Sequence, residues 1–112
     1  LLVLGDTDKA RPLLEASHAY FEPSIEAGSP RAWRAAMSMA TLHQAAGEIE
    51  PATDLCDRVL RLPATDRDQT VAHAAAHTIH AQVASDRQQF DDALRHIDQS
   101  IALLETVTAD RE

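Results

Sequence analysis

The chain has 112 residues and a mass of 12.2 kDa, with 45% hydrophobic residues, 25% charged residues and a formal net charge of −8, the composition of one small folded domain rather than a disordered segment. A pI near 5.1 and a single Lys among scattered Arg residues argue against direct nucleic-acid or anionic-lipid binding, both of which draw on clustered cations. Three Gly, five Pro and 4% aromatics leave little turn and strand material for an all-β domain, and an apolar content made mostly of Ala and Leu favours closely packed helices.

In chain order, a first helix is expected over about 8–23, with Pro12 inside it removing one hydrogen bond. Ser29-Pro30 reads as an N-cap followed by Pro at the first helical position, opening a helix over about 30–46 that contains Trp33 and stops at Gly47. A third helix, with Pro51 in its first turn, extends to about 62, where Pro63 prevents continuation. Thr65 with Asp68 resembles a capping box opening a helix over about 67–85. The last helix runs over about 90–107, with Ala93, Leu94, Ile97, Ile101 and Leu104 spaced to lie on one face. The linkers, 26–29 and 63–66, are short, so successive helices should pack antiparallel.

No apolar run nears the roughly 20 residues of a membrane span. The opening Leu-Leu-Val-Leu of residues 1–4 is too short for a signal-peptide core and has no basic leader, so a cytoplasmic location is expected. The chain starts without Met inside an apolar stretch, as a piece of a longer protein would. Cys56 stands alone in a helical apolar pattern and reads as a small buried hydrophobe.

Three segments repeat: Gly5-Asp6-Thr7-Asp8-Lys9-Ala10, Gly47-Glu48-Ile49-Glu50-Pro51-Ala52 and Gln88-Gln89-Phe90-Asp91-Asp92-Ala93, at offsets of 42 and 41 residues. Downstream, Leu14, Cys56 and Ile97 correspond, as do His18, Leu60 and Ile101. A period near 40 points to helical hairpins. The pattern of Ala40, Gly47, Ile49, Ala52, Cys56 and Leu60, repeated as Ala81, Phe90, Ala93, Ile97 and Ile101, resembles the tetratricopeptide (TPR) repeat. Gln88 here replaces the turn Gly, and the stride is longer than the family's usual one. Units of this length resemble those in the sensor arms of ATP-binding, LuxR-type bacterial regulators of the MalT class, where phrases like Ala10-Arg11-Pro12-Leu13-Leu14-Glu15 recur.

The resemblance implies an all-α fold of antiparallel helix hairpins stacked as a short right-handed TPR-like superhelix. It divides the single domain 1–112 into a partial unit 1–25 and units 29–63 and 65–108. It implies a groove that binds protein or peptide, lined by Arg34, Met37, Thr41 and Gln44 in the middle unit and by Ala75, Thr78, Gln82 and Ser85 in the last. The expected function is a non-enzymatic interaction module of a larger bacterial regulatory protein, needing no cofactor and binding neither nucleic acid directly nor membrane. The alternatives are a small-effector-sensing domain coupled to a transcriptional or cyclase output and, behind it, a His-based metal-binding protein. Stacking of end units through residues 1–4 and the first helix would give a homodimer.

His73, His77 and His80 lie four and three apart on one helix, a spacing that could chelate zinc. A metalloprotease helix carries Glu directly after its first His, and Ala74 stands there. The same alignment puts His77 and His80 against the partner helix, so hydrogen-bonded, partly buried imidazoles are expected and no metal site is assigned. Gly5, Gly28 and Gly47 are too dispersed for a phosphate loop, no Ser sits in a nucleophile elbow, and Asp6, Asp8, Asp91 and Asp92 read as helix-start carboxylates.

Overall fold

The structure, a computed structural model, describes residues 7–109; the expectations for residues 1–4, Gly5 and Asp6 lie outside them. Five helices follow one another: α1 (Thr7–Phe21), α2 (Pro30–Ala45), α3 (Ile49–Leu60), α4 (Arg67–Asp86) and α5 (Phe90–Ala109), with a 3-10 turn, Glu22–Ser24, after α1. No strand occurs among the described residues. By backbone proximity α1 packs on α2, α2 on α3 and α4, α3 on α4, and α5 on α4 alone.

Each boundary has a local cause. At the start of α2, Ser29 Oγ accepts from the Ala32 N–H at 3.3 Å, and Pro30 occupies a position whose N–H would have had no helical partner. At its end Gly47, with φ +80°, turns the chain out. The Glu48 N–H donates to His43 O at 2.8 Å and the Gly47 N–H to Gln44 O at 3.1 Å, the pair of bonds of a Schellman stop. The same pair closes α4 at the position 41 residues on. Gln89 N–H donates to Ala84 O at 2.8 Å and Gln88 N–H to Ser85 O at 3.0 Å, with Gln88 itself left-handed at φ +60°. The two hairpins therefore turn by one geometry, and Gln88 holds a conformation that disfavours a residue with a Cβ.

The start of α4 departs from the expected Thr65–Asp68 pair. The N-cap is Asp66, whose Oδ1 accepts from the Gln69 N–H at 2.8 Å. Gln69 Oε1 in return accepts from Asp66 N at 3.3 Å, Thr65 N at 2.7 Å and Thr65 Oγ1 at 3.0 Å. The one-residue shift follows from reach. Gln69 is buried and long enough to bond back to the cap while its Nε2 donates to Gly28 O at 2.7 Å, across 41 positions of chain; Asp68 is exposed.

The core lies between α2, α3 and α4. Ala32, Trp33, Ala36, Met37 and Ala40 of α2 meet Cys56 and Val59 of α3 and Ala72, Ala76 and Ile79 of α4. Four- and three-residue steps put each set on one helix face. Trp33 is fully buried, donates from Nε1 to Ile25 O at 2.8 Å, and stacks on the His73 ring at 5.4 Å with 6° between planes. His73 Nε2 sits 3.1 Å from Val59 O, so that nitrogen carries the proton, and the imidazole joins α4 to both other core helices. Ion pairs tie α1 on from outside. Arg11 bonds both Glu48 carboxylate oxygens, at 2.9 and 3.1 Å, and Arg58 reaches Glu22 at 2.8 Å and Glu26 at 2.7 Å.

The face of α5 is corrected. Ala93 is buried against α4 as expected, but Leu94, Ile97, Ile101 and Leu104 are 58%, 41%, 49% and 44% exposed. The helix packs instead through Ala93, His96, Ser100, Leu103 and Val107, all buried or half-buried. Two small residues on this seam let the backbones come close, and Ser100 Oγ donates to the main-chain oxygen of Ala74 at 3.1 Å.

Two substitutions test these local causes. Gln69→Leu, which keeps the volume but strands the carbonyl of Gly28 and the N–H of Thr65, should cost about 1–3 kcal/mol in denaturant unfolding, while Asp68→Asn should be near neutral. Gln88→Gly, which relieves a left-handed side chain, should raise stability by about 0.5–1 kcal/mol in the same measurement.

Candidate functional site

A groove runs between α2 and α4. Pro30, Arg34, Met37, Ser38 and Thr41 form one wall, and Asp68, Val71, Ala72 and Ala75 the other, around a volume of about 240 Å³. Its walls are brought together by the core beneath them. Ala36 and Ala40 of α2 and Ala72 and Ala76 of α4 present little more than a methyl group, so the two helices approach closely and only shallow space is left above.

Arg34, Met37, Thr41 and Ala75 are thus gathered in one place. Arg34 is exposed and has no ion-pair partner among the described residues. It also borders a second depression toward α1, with Leu14, Ser17 and Phe21 across from it. Met37 is a largely buried floor. The Thr41 hydroxyl is committed to its own helix, donating to Met37 O at 2.9 Å, so Thr41 offers the groove its methyl group and an acceptor oxygen.

The other four assigned residues lie elsewhere. Gln44 is half-buried beyond the end of the groove. The Thr78 hydroxyl lies 3.0 Å from both Ala74 O and Ser100 Oγ, so it belongs to the α4–α5 seam. Gln82 and Ser85 are exposed further along α4 and do not line the groove. Asp68 and Val71 are not assigned from the sequence, although they lie two turns and one turn before Ala75 on the same face of α4.

The three histidines of α4 go to three different partners. His73 bonds Val59 O; His77 Nδ1 lies 3.0 Å from His96 Nδ1; His80 Nε2 lies 2.9 Å from Asp57 Oδ1. Hydrogen-bonded, half-buried imidazoles were the expectation, and these are such. Among the described residues no group of three His, Cys, Asp or Glu side chains converges on a point that could hold a metal. His96, on α5, is a member that sequence spacing could not supply, since it stacks on His80 at 5.0 Å and tilts over His77 at 5.2 Å from a separate helix.

His80 and His96, with Asp57, Arg87, Asp92 and Arg95, border a polar cleft of about 300 Å³. Its nearest hydroxyl, on Thr53, donates to Ile49 O at 3.1 Å within α3. Cys56 is buried and its thiol is pushed up to about 12 by burial, which removes it as a thiolate nucleophile at neutral pH.

No protein-family model, no curated protein and no solved structure matches this chain. No helix among the described residues is long and apolar enough to cross a membrane.

Burial, reinforced by the other imidazoles nearby, holds His77 and His96 below the ordinary histidine value of 6.5. Burial lowers His18 as well, whose Nδ1 has no hydrogen-bond partner among the described residues. The unfolded chain then takes up protons that the folded chain resists, so stability is full above the unfolded value and falls as the pH drops below it. Glu48, held down by the bonds from His43 and Arg11, and Glu26, held down by Arg58, respond only below 4.5. Melting temperature should therefore be flat from about pH 8 to 7 and fall by a few degrees between about pH 6.5 and 5, ahead of any carboxylate transition. His77→Gln with His96→Gln should flatten that limb in a pH series of thermal melts.

Proposed function

We propose that this chain is a non-enzymatic module that binds an extended protein or peptide segment along the α2–α4 groove, as a short TPR-like array within a larger bacterial regulatory protein. The observation that carries the reading is the meeting of Arg34, Met37, Thr41 and Ala75, named from their places in a repeat, around one groove between the first helices of two hairpins. The contact of α2 with α4 and the recurrence of one turn geometry at a 41-residue stride support a right-handed stack of units, each covering the apolar flank of the next.

The groove suits a chain more than a compact molecule. Its volume of about 240 Å³ falls below the range of roughly 300–1,000 Å³ typical of small-ligand sites. Its open ends pass onto the Leu14–Phe21 depression on one side and toward Arg67 and Val71 on the other. An apolar floor with polar rims anchors alternate side chains of an extended peptide and leaves its backbone hydrogen-bonded at the edges.

A panel of fluorescent peptides read by anisotropy tests this function. Thr41→Trp, placed on an exposed position to fill the groove, should weaken every peptide that binds by tenfold or more, about 1.4 kcal/mol, with the melting temperature unchanged. A metabolite that raises the melting temperature while all peptides fail would transfer the groove to effector sensing.

A further inference from the structure

The last helix carries a second surface that the groove reading does not use. Phe90, Leu94, Ile97, Ile101 and Leu104 are 60%, 58%, 41%, 49% and 44% exposed, and they follow one another at steps of four, three, four and three residues. That spacing averages 3.5, the period of a coiled-coil seam, which keeps one straight edge facing a partner helix. The row is about 21 Å long at 1.5 Å per residue. Ile101 and Leu104 continue into a shallow depression with Thr108 and Ala109. Since α5 touches α4 alone, none of the described helices covers this face, and a contiguous row of large apolar side chains on a surface marks an interaction site.

Its edges carry a single sign. Asp91, Asp98 and Glu105 each follow a seam residue by one position and recur every seven. All three are exposed and without an ion-pair partner among the described residues. The opposite edge, Ala93, Ser100 and Val107, is taken up by α4. Arg95, the only cation of α5, is committed to Asp92 one turn away.

This charge pattern selects the occupant. A second copy related by a twofold axis perpendicular to α5 would lay α5 antiparallel on α5, setting Asp98 against its own image and Asp91 against Glu105, between chains that each carry a net charge of −8. A parallel pairing would need the edge that α4 covers. We propose that the outer face of α5 docks an amphipathic helix of a different chain, with Leu- or Ile-type residues at heptad spacing and a row of Lys or Arg along the edge that meets Asp91, Asp98 and Glu105. The apolar seam supplies affinity, and the acidic row selects the partner and its direction.

Two synthetic helical peptides of about three heptads, identical in an Ile/Leu seam and differing only in Lys or Glu along the edge, test this by anisotropy against the whole chain, with light scattering of the chain alone. The Lys peptide should bind at least ten times more tightly than the Glu peptide, and its affinity should fall with added salt. Leu94→Lys with Ile101→Lys, both at exposed positions, should abolish binding and leave the melting temperature in place. Asp98→Lys with Glu105→Lys should invert the preference toward the Glu peptide, which mere loss of fold would not do. Equal binding of both peptides, binding of neither, or a dimer that Leu94→Lys with Ile101→Lys dissolves would overturn the proposal, the last by showing that a second copy covers the face.

Discussion

The groove and everything arranged around it depend on where α4 begins relative to the loop before α2, and one side-chain amide fixes that relation. Gln69 accepts from three donors at the α4 cap and donates to Gly28 O from its other end. Gly28 turns there at φ +82°, and a Cβ on it would come within 3.1 Å of the Gln69 Nε2, so the loop can approach because the residue is glycine. Pro30 lies two positions beyond Gly28, and Asp68, Val71 and Ala72 flank Gln69; both walls of the groove start from this bond. A buried amide with all its partners met adds little net energy per bond, but leaving one unmet is costly. The contact therefore acts more as a registration device than as a source of affinity between helices.

Small residues do the rest of the positioning. Helix α4 is buried on two sides, through Ala72, Ala76, Ile79 and Val83 toward the core and through Ala74, Ala81 and Ala84 toward its other side. A helix sandwiched in this way carries few bulky groups, and its imidazoles fall along the boundaries between faces, where each finds a polar atom of a neighbouring helix. Trp33 fills the space that the alanines leave open in the centre, with its indole N–H satisfied by Ile25 O. The same economy of size on α5, with Ala93 and Ser100 at its contact, turns the large side chains of that helix outward.

The sequence carried the helices well because their punctuation is chemical and local. Ser29-Pro30, Gly47 and Pro63 each act through their own backbone, and the observed bounds lie within about two residues of those expected. The cap of α4 was misread by one position because Thr65–Asp68 and Asp66–Gln69 satisfy similar patterns. Only the second has a distant partner in Gly28. The apolar stripe of α5 was legible as a stripe, and periodicity says that a face is apolar without saying what lies opposite. Of the residues that the repeat alignment names, Arg34, Met37, Thr41 and Ala75 meet around one depression between α2 and α4. Further along α4, Thr78 lies outside that depression, its hydroxyl beside Ser100, a residue no spacing rule connects to it. His96 was invisible for the same reason.

Charge is distributed so that the two proposed surfaces do not compete. Of the cations, Arg58 is spent on Glu22 and Glu26, Arg11 on Glu48 and Arg95 on Asp92. Arg34 stands unpaired in the groove wall, among the described residues. Asp91, Asp98 and Glu105 stand unpaired along α5, among the described residues, and α5 packs on α4 and not on α2. A segment with acidic side chains meets the Arg34 guanidinium across from the Asp68 carboxylate in the groove and repulsion along α5; a basic helix meets a row of carboxylates on α5. At ordinary ionic strength the screening length is about 8 Å, so each surface reads the charge of what touches it and little of what binds across the molecule. Selectivity of this kind needs no communication between the two sites, only that α4 keeps them apart. The buried alanines on both of its flanks hold it there.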